Sequence, residues 1–401
     1  MLKNRNFRRR VLIVQPYIPA YRTSFFNLLR CRLDAEDIAL EVLHGSPPPV
    51  QAERRDSDVC ACSEQVPTRR LSLPGEKSLI WRRLPDRATS ADAIILGQAL
   101  QNLEAYPLLL RQQIGRFTGH APPIAFWGHG RTYTKSVSRL EAWAKDVLTL
   151  KGSWFFSYTE GGAAHVATRG FPRDRITVVR NSVDTTELTA IRNRAKVPGT
   201  SQHAEAALLR KQYNLVPGLT ALFLGSLDRP KRVSFLLESA ERIAGELPGF
   251  RLLVAGEGTD RGLVDDAASR PGSVVVALGR ASRRFAALLG AVSDVMLMPG
   301  RVGLCAVDSF ALQTPVVTTD WPWHAPEFEY LDNGRNAITT PDDPIAYAAA
   351  VIALLCDAPR LEMLRAACAA DAAEYTVEDM AARFCDGLHH MLGEAVGAGV
   401  A

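Results

Sequence analysis

Short continuous runs of apolar residues recur along the chain, and each run ends at a polar or turn-forming segment. The first, at residues 11–14, stops at Gln15-Pro16. Runs of this length are typical of strands buried on both faces of a parallel sheet. The amino-terminal half is therefore predicted to contain strands at 11–14, 38–43, 93–96, 124–127, 154–158 and 176–179. Residues 23–33 predict a helix, and residues 44–75, which are rich in Pro, Ser and charge, predict a loop region.

The carboxy-terminal half repeats this alternation. After a first predicted strand, Leu236, Ala240 and Ile243 share one face of a predicted helix. The tail from Ala346 is Ala-rich and predicts helices, the last near 377–395. Alternating strands and helices in both halves predict two α/β domains, each built on a parallel sheet, with the boundary between residues 185 and 218. The predicted strands of this half lie at 221–224, 252–255, 274–278, 295–298 and 316–319.

Length and charge refine this picture. At 401 residues, 47% of them hydrophobic, the chain is long enough for two cores. Residues 1–188 carry 27 Lys/Arg against 18 Asp/Glu, whereas residues 189–401 carry 20 against 25. A basic first half favours an anionic partner, such as a phosphorylated acceptor or an anionic membrane, and a solvated basic surface is the alternative. Nucleic acid is disfavoured, because the basic residues are not interleaved with aromatic ones in a recognisable binding motif.

Cysteine spacing and the amino-terminus bear on the compartment. Of seven cysteines, only Cys60 and Cys62 are close in sequence, and no second pair completes a zinc site. Reduced thiols, as in a cytosolic protein, fit this spacing best. Five basic residues precede the apolar run at 11–14, which is too short for a signal-peptide core or a membrane span. We therefore expect a cytoplasmic protein that is at most peripheral at the inner face of a membrane.

Residues 299–320, which follow the predicted strand at 295–298 and include the one at 316–319, carry the strongest chemical signal. Gly300 and Gly303 mark a turn, and Asp308 lies in the helix-like segment that follows. In open α/β sheets, ligands bind at the carboxyl ends of the strands. There the N–H groups of Gly303 and Leu304 would point at an anion such as a diphosphate, and Asp308 would hold a ribose hydroxyl. Any doubly wound strand–helix junction is the alternative interpretation.

Two more strand ends in this half carry candidate residues. The segment 225–232, Gly-Ser-Leu-Asp-Arg-Pro-Lys-Arg, places cations where they would grip a diphosphate. Gly256-Glu257-Gly258 ends the next strand, but the following Gly262 does not complete a dinucleotide fingerprint. A charged surface loop and a plain tight turn are the respective alternatives.

Two strand ends in the first half are also candidates. Glycines flank His129 in Gly128-His129-Gly130-Arg131, so that the backbone can approach a ligand there. The loop after the first strand, residues 15–22, ends at Arg22. A structural histidine is the alternative for His129.

Together these stretches resemble the GT-B glycosyltransferases of the large retaining family 4 (group 1). Residues 299–320 are similar to the donor-sugar loop of that family, and residues 224–232 to its diphosphate-binding element. Residues 158–160 and 180–184 resemble two further landmarks. The resemblance implies two Rossmann-like domains that face each other across a cleft. They would be an acceptor domain at 1–188 and a nucleotide-sugar domain at 189–375, with a helix within 376–401 crossing back to the first domain.

The resemblance also implies roles for single residues. Lys231, helped by Arg232 or Arg229, would neutralise the departing diphosphate. His129 would bind the donor sugar, and Asp308 the ribose. The remaining implied contacts are Gly225, Gly256, Glu257, Gly303 and Leu304 around the nucleotide, and Arg22 and Arg131 in the acceptor cleft.

The donor loop departs from the family pattern at one position. Gly300 stands where the family has the first of two acidic residues, and Asp308 stands at the second. The carboxylate that approaches the donor sugar is therefore missing. His324 and Glu327, further along the chain, are the candidates to replace it, and the alternative is that both are surface polar residues.

From these residues and the resemblance we expect a glycosyltransferase that needs no metal and no cofactor, and the resemblance alone implies retention of anomeric configuration. Its donor would be a UDP- or GDP-sugar, and its acceptor a hydroxyl of a glycan, a lipid-linked oligosaccharide or a natural product. A catalytically silent nucleotide-sugar-binding partner is the first alternative, because Gly300 removes an acidic group. A nucleotide-sugar epimerase of the same fold is the second, although the sequence offers no clear pair of acid/base carboxylates for it.

Overall fold

The structure, a computed structural model, describes residues 8–48, 57–73, 77–118 and 121–397. These residues form two compact units. Unit 1 comprises the described residues of Met1–Thr132, Ser136–Val183 and Val377–Ala401. Unit 2 comprises those of Tyr133–Lys135 and Asp184–Thr376. Each unit is built on its own parallel sheet with helices packed on it, which confirms the predicted α/β class.

The apolar runs form strands and the amphipathic segments between them form helices. The strands are β1 (Arg9–Gln15), β2 (Ile38–His44), β3 (Ser63–Gln65), β4 (Thr68–Leu73), β5 (Lys77–Arg82), β6 (Ala93–Gly97), β7 (Ile124–Gly128), β8 (Trp154–Ser157), β9 (Ile176–Val178), β10 (Thr220–Leu224), β11 (Arg251–Ala255), β12 (Val275–Gly279), β13 (Val295–Met298), β14 (Val316–Thr319) and β15 (Ala337–Thr340). The helices are α1 (Thr23–Ala35), α2 (Ala105–Thr118), α3 (Arg139–Thr149), α4 (Glu160–Thr168), α5 (Thr186–Ala195), α6 (Ser201–Gln212), α7 (Val233–Glu246), α8 (Arg261–Ala268), α9 (Arg283–Val292), α10 (Cys305–Leu312), α11 (Pro344–Leu355), α12 (Ala358–Glu374) and α13 (Val377–Gly397).

The sheet of unit 1 has the strand order β3-β2-β1-β6-β7-β8-β9 among the described residues, and all its pairs are parallel. Val11, Leu12 and Ile13 are fully buried, as expected for a central strand covered on both faces. The order reverses between β1 and β6. That reversal is a topological switch point, where open sheets of this kind bind ligands.

The prediction of a loop at 44–75 is wrong for β3 and β4, and its residues 49–56 and 74–75 lie outside the described residues. β4 pairs with β5 as an antiparallel hairpin outside the main sheet. Arg69, Arg70, Leu71 and Ser72 are all exposed, so this part of β4 buries no apolar face. A strand without a buried face shows no alternation of apolar and polar residues, which is why the sequence pattern does not reveal it.

The long helix α13 belongs to the core of unit 1. Its residues Met380, Phe384 and Leu388 are fully buried in the cluster that includes α1 and the central strands. The ring of Phe384 stacks on that of Phe156 in β8, with centroids 4.1 Å apart. Burial of a large apolar side chain contributes about 1.5–3 kcal/mol. Helix α13 therefore stabilises unit 1 although it follows unit 2 in the chain.

The sheet of unit 2 has the order β12-β11-β10-β13-β14-β15 among the described residues and is parallel. Its order reverses between β10 and β13. In α7 the predicted apolar face is buried, with Leu236, Ala240 and Ile243 fully covered. No single described helix is long and apolar enough to span a membrane. Taken together, α11 and α12 are long and apolar enough by length and composition alone, but the two helices are bent by 94° relative to each other.

Helices α5 and α6 occupy the region 185–218, where the sequence predicted the boundary between domains. Leu188 and Ile191 of α5 are buried in the core of unit 2, and α5 packs against α9. The change from unit 1 to unit 2 falls between Val183 and Asp184. The polar appearance of this segment comes from the exposed faces of two short helices.

Candidate functional site

The candidate residues of unit 2 lie in the loops after β10, β11, β13 and β14. Because these strands are parallel, their carboxyl ends meet at one edge of the sheet. The loops after β10 and β13 flank the switch point, where neighbouring crossover connections leave a crevice. The fold therefore brings residues 225–232, 256–258, 299–304 and 320–324 to one edge.

Lys231 lies between the two loops at the switch point. Its Nζ donates a hydrogen bond to the carbonyl of Arg301, at 2.6 Å, and lies 3.7 Å from Sδ of Met298. A methyl group on Gly225 would be 3.6 Å from Cε of Lys231, so the lysine side chain runs across that glycine. An ammonium group has three donors, and the contacts with Arg301 and Met298 use two of them. The charge of Lys231 is thus held at the site with one donor left for a ligand.

Gly300 is packed against the backbone of the loop that carries Lys231. A Cβ at this position would lie 2.4 Å from the carbonyl oxygen of Pro230 and 2.8 Å from that of Lys231. The next amide, of Arg301, donates to the same Pro230 oxygen at 2.8 Å. The close approach of the two loops therefore excludes any side chain at 300. This explains physically why the family's first acidic residue is absent here.

The loops after β10 and β11 are interlocked in a similar way. Leu227 N–H donates to the carbonyl of Glu257 at 2.8 Å. A Cβ on Gly256 would lie 1.9 Å from the carbonyl oxygen of Gly225. The side chain of Glu257 pairs with Arg261 at 3.0 Å, across one turn at the start of α8. Gly256 and Gly225 thus allow close backbone contact, while the charge of Glu257 is compensated within its own segment.

The two arginines beside Lys231 differ in their surroundings. Arg232 pairs with Asp342, and its guanidinium lies 4.4 Å from the centroid of the Phe235 ring. Its backbone is left-handed, with φ of 56°, where the chain turns into α7. The side chain of Arg229 is exposed. The charge of Arg232 is therefore partly neutralised by Asp342, whereas Arg229 is open to solvent.

The start of α10 presents backbone donors at the same edge. Among the described residues, the amides of Gly303 and Leu304 have no hydrogen-bond acceptor. The amides of Ala306 and Val307 donate to the carbonyls of Gly303 and Leu304 at 3.0 Å each. The first N–H groups of a helix have no partner within it and carry its positive dipole end. The predicted anion-binding position at 303–304 thus has free donors.

Asp308 lies in the first turn of α10 and forms an ion pair that the sequence did not predict. Nη1 of Arg283, at the start of α9, donates to Oδ1 of Asp308 at 2.9 Å. The other Nη of Arg283 donates to the backbone carbonyl of Asp184. The carboxylate of Asp308 is mostly covered, with 17% of the side chain exposed. Arg283 therefore fixes the orientation of Asp308.

His324 has both ring nitrogens engaged. Nδ1 accepts from the amide of Val302 at 3.0 Å, and Nε2 donates to the carbonyl of Thr319 at 2.9 Å. An amide can only donate and a carbonyl can only accept, so the ring is neutral with its proton on Nε2. Burial lowers the pKa of His324, and the nearby positive charges of Lys231 and Arg301 act in the same direction. His324 therefore ties the loop after β13 to the end of β14.

Glu327 lies beside the loop that contains Gly303. It is 3% exposed, and one of its carboxylate oxygens would be 3.7 Å from a Cβ on Gly303. Of the two residues proposed to replace the missing carboxylate, His324 is occupied in holding the loop. Glu327 is the one whose carboxylate reaches the donor loop.

In unit 1, His129 follows β7 at the carboxyl edge of that unit's own sheet. Its ring packs edge-on against Tyr158, which follows β8, with centroids 4.5 Å apart. Desolvation by the surrounding protein lowers the pKa of His129, and the positive charges of Lys145 and Arg22 add to the effect. The residue as a whole is exposed, which limits the desolvation. A lowered pKa means that the imidazole is neutral at pH 7.

Gln98, which is not among the residues predicted from sequence, holds the loop of His129. Its side-chain amide accepts from Gly130 N–H and donates to the Gly130 carbonyl, both at 3.0 Å. Gly130 has φ of 76°, and a Cβ there would lie 2.5 Å from the carbonyl oxygen of Gly162 in α4. Only glycine fits both the backbone angle and the space. Gln98 follows β6, so its position at a strand end is a signal that the sequence did contain.

The two predicted arginines of unit 1 have different environments. Arg22 is 5% exposed and donates to Oδ1 of Asn181 at 2.8 Å. Its guanidinium lies 5.4 Å from the ring of Trp127. The side chain of Arg131, two residues after His129, is exposed. Arg22 is therefore built into the interior beside the candidate site of unit 1, and Arg131 lies at its surface.

Comparison with known proteins gives the fold and a family match for part of the chain. Residues 218–357 match the family described as glycosyl transferases group 1. A search of curated proteins finds no match to the chain. The range 218–357 contains β10 to β15 and all the candidate residues of unit 2.

Solved structures resemble the whole chain. Anabaena HepE in complex with UDP is 13% identical, with a TM-score of 0.65, and the match covers 95% of this chain and 99% of that one. A glycosyltransferase from Rickettsia africae is 11% identical, with a TM-score of 0.65 and coverage of 97% and 99%. Sucrose-phosphate synthase from Thermosynechococcus elongatus is 15% identical, with a TM-score of 0.64 and coverage of 97% and 100%. The chain therefore has the GT-B fold, and its residues 218–357 are similar to the group 1 glycosyltransferase domain.

Proposed function

We propose that this protein transfers a sugar from a nucleoside diphosphate sugar to a hydroxyl group of an acceptor, and that unit 2 binds the donor. The observation that carries the proposal is the position of Lys231 at the switch point of unit 2, where it binds the loop that continues to the free amides of Gly303 and Leu304. A cation and helix-terminal N–H groups at one strand edge suit a diphosphate. The family match over 218–357 supports the same assignment.

UDP is the nucleotide that we propose first. Anabaena HepE has been crystallised with UDP and with UDP and glucose, and Staphylococcus aureus TarM with UDP among other ligands. These proteins are 13% and 9% identical to this chain, so their ligands indicate a donor class to test. A GDP-sugar is the second candidate.

Within the donor site, Lys231 is the principal cation of the diphosphate. The charge of Arg232 is partly neutralised by Asp342, so Arg232 contributes less to diphosphate binding. Arg229 is exposed and can turn towards a bound phosphate. Asp308, oriented by Arg283, would accept hydrogen bonds from ribose hydroxyls.

In the reaction, the bond between the sugar C1 and the diphosphate oxygen breaks, and a bond from the acceptor oxygen to C1 forms. Negative charge grows on the departing diphosphate. Lys231 and the amides of Gly303 and Leu304 would stabilise it, and removal of one such donor typically lowers kcat by about 10²–10³. The acceptor proton would pass to an oxygen of the leaving phosphate, on the face where the new bond forms. That route gives retention of configuration and needs no metal, as the family resemblance implies.

We propose that Glu327 provides the carboxylate that Gly300 cannot. Its carboxylate lies beside Gly303, within reach of a sugar bound next to the diphosphate. In unit 1, His129 is proposed to bind a sugar hydroxyl through its neutral ring. The acceptor is proposed to be a polysaccharide end or a lipid-linked oligosaccharide, because residues 1–188 carry the excess of positive charge.

The proposal is tested by product analysis with UDP- and GDP-sugars. The purified protein is incubated without added metal, with and without glycan acceptors, and free nucleotide, free sugar and glycosylated product are quantified. We expect release of the nucleoside diphosphate, at a rate that increases with a correct acceptor and is lost in Lys231→Ala. The matched control is Lys211→Ala, an exposed lysine at the end of α6.

Each alternative has its own result. An epimerase would convert the nucleotide-sugar into its isomer without acceptor and without release of nucleotide. A silent binding partner would bind the donor and release nothing with any acceptor. Either result would reject the transferase assignment.

A further inference from the structure

We propose that Glu36, Cys385 and His389 form a metal-binding site in unit 1, selective for a thiophilic divalent cation such as Zn²⁺. Glu36 follows α1, and Cys385 and His389 lie on α13. One ligand atom of each residue lies within 4.8 Å of the other two. No part of the proposed donor chemistry uses these residues.

The spacing of the three side chains follows from the two helices. Cys385 and His389 are four residues apart on α13, so they are neighbours on one helix face. Helix α1 packs against α13, and the residue after its last turn, Glu36, reaches the same face. The fold of unit 1 thus fixes all three positions.

The distances suit a tetrahedral ion. Sγ of Cys385 lies 3.8 Å from Nε2 of His389 and 4.0 Å from a carboxylate oxygen of Glu36. Zinc bonds of about 2.3 Å to sulfur and 2.0–2.1 Å to nitrogen place two tetrahedral ligand atoms roughly 3.5 Å apart. His389 and Glu36 are in direct contact, closer together than two ligands of one ion, so binding requires these two exposed side chains to move apart.

The chemistry of the ligands selects the class of metal. Thiolate and imidazole ligands favour Zn²⁺ and related transition metals over Mg²⁺ and Ca²⁺, which prefer oxygen. Cys385 is 4% exposed, whereas the side chains of Glu36 and His389 are 45% and 40% exposed. The buried thiol would thus hold the inner side of the ion, and water would complete the outer side. On binding, the thiol proton passes to solvent.

Such an ion would clamp α1 to α13. Helix α13 returns to unit 1 after the whole of unit 2, and its contacts with α1 are a large part of its attachment. A metal that binds only the folded state raises apparent stability in proportion to the logarithm of its concentration. We therefore infer a structural role for the site.

The test is titration of the chelator-treated full-length protein with Co²⁺, followed by Zn²⁺. We expect a Co²⁺–thiolate charge-transfer band at one equivalent, its displacement by Zn²⁺, and a higher Tm with Zn²⁺. Cys385→Ser should lose the band. His389→Gln and Glu36→Gln should weaken Co²⁺ binding by about 10-fold or more, since changes to outer-sphere partners alone cost about 10–100-fold.

Other cysteines provide the controls. Sγ of Cys60 and Sγ of Cys62 lie 3.4 Å apart, so a band from this pair must be excluded with the double variant Cys60→Ser/Cys62→Ser, which should keep the signal. Cys31→Ser, an exposed cysteine on α1, should also keep it. A band that survives in Cys385→Ser, or no band in the unaltered protein, would overturn the proposal and leave Glu36 and His389 as a surface ion pair. Melting curves of the metal-free variants separate loss of binding from loss of folding.

Discussion

At the scale of single residues, Gly300 shows how packing decides a departure from a family motif. A side chain at this position would meet the carbonyl of Pro230 at 2.4 Å. The sequence reveals that the acidic residue is absent, but the reason lies in the approach of two loops about 70 residues apart along the chain. A restored glutamate would therefore displace the loop of Lys231.

We predict that Gly300→Ala destabilises unit 2 and weakens nucleotide binding. Overpacking of this kind costs about 1–3 kcal/mol, because backbone must move. Urea unfolding measures the stability. Gly262→Ala is the matched control, since a Cβ there meets nothing within 4 Å and alanine in a helix is more stable by about 0.5–1 kcal/mol. Equal stability of Gly300→Ala and the unaltered protein would contradict the packing explanation.

His324 gives the chain a pH dependence of defined sign. Its pKa is lowered in the folded state, so below the ordinary histidine pKa of about 6.5 the unfolded chain takes up a proton that the folded chain does not. The contribution of His324 to the stability of the folded state is therefore complete above that pH and decreases as the pH falls below it. The slope contributed by one such histidine is at most about 1.4 kcal/mol per pH unit.

We predict that His324→Gln reduces this slope between pH 7 and pH 5, an interval chosen around the ordinary pKa of about 6.5. Denaturant unfolding at several pH values measures it. Part of the slope should remain, because burial also lowers the pKa of His129 and of His165. An unchanged slope in His324→Gln would show that the buried ring is already protonated, against the hydrogen bonds that it forms.

At the scale of elements, the loops at strand ends are held by side chains from neighbouring strand ends. Gln98 after β6 binds both backbone groups of Gly130 after β7. Gln98 has no predicted role in binding or catalysis, yet it fixes the position of the loop that carries His129. Loops that carry function on a rigid scaffold are commonly supported in this way.

We predict that Gln98→Ala loosens the loop of His129. Two buried backbone groups lose their partner, which costs about 1–3 kcal/mol for each group left unsatisfied. Hydrogen exchange of the Gly130 and Arg131 amides should become faster. Gln101→Ala, which alters an exposed side chain in the next turn, should leave exchange at Gly130 unchanged. Equal exchange in both variants would show that Gly162 packing alone holds the loop.

Elements also show where prediction from sequence stops. The buried strands can be predicted from sequence because each is a continuous apolar run, as in β1 and β13. β4 cannot, because its residues 69–72 are exposed. Helices α5 and α6 are short and mostly polar, so they resembled a linker, although Leu188 and Ile191 are buried.

At the scale of the whole molecule, the fold persists where identity has fallen to 11–15%. Many different apolar residues can fill a buried parallel strand, so sequences can diverge while the sheets keep their shape. That the candidate residues of unit 2 lie at one edge could be predicted, since strand ends of a parallel sheet meet there. Its contacts could not: Arg283 reaches Asp184, and Arg232 reaches Asp342, across 99 and 110 positions of the chain.

Nucleotide binding tests most directly the claim that unit 2 holds a nucleoside diphosphate through Lys231. Calorimetry with UDP, GDP, dTDP and ADP, without metal, compares the unaltered protein with Lys231→Ala, Asp308→Ala and the control Lys211→Ala. We predict that one nucleotide, most readily UDP, binds the unaltered and control proteins equally. Each site variant should bind it about 10–100-fold more weakly, because a hydrogen bond to a charged group contributes about 1.5–3 kcal/mol. Failure of all four nucleotides to bind, or equal binding by Lys231→Ala, would contradict the assignment.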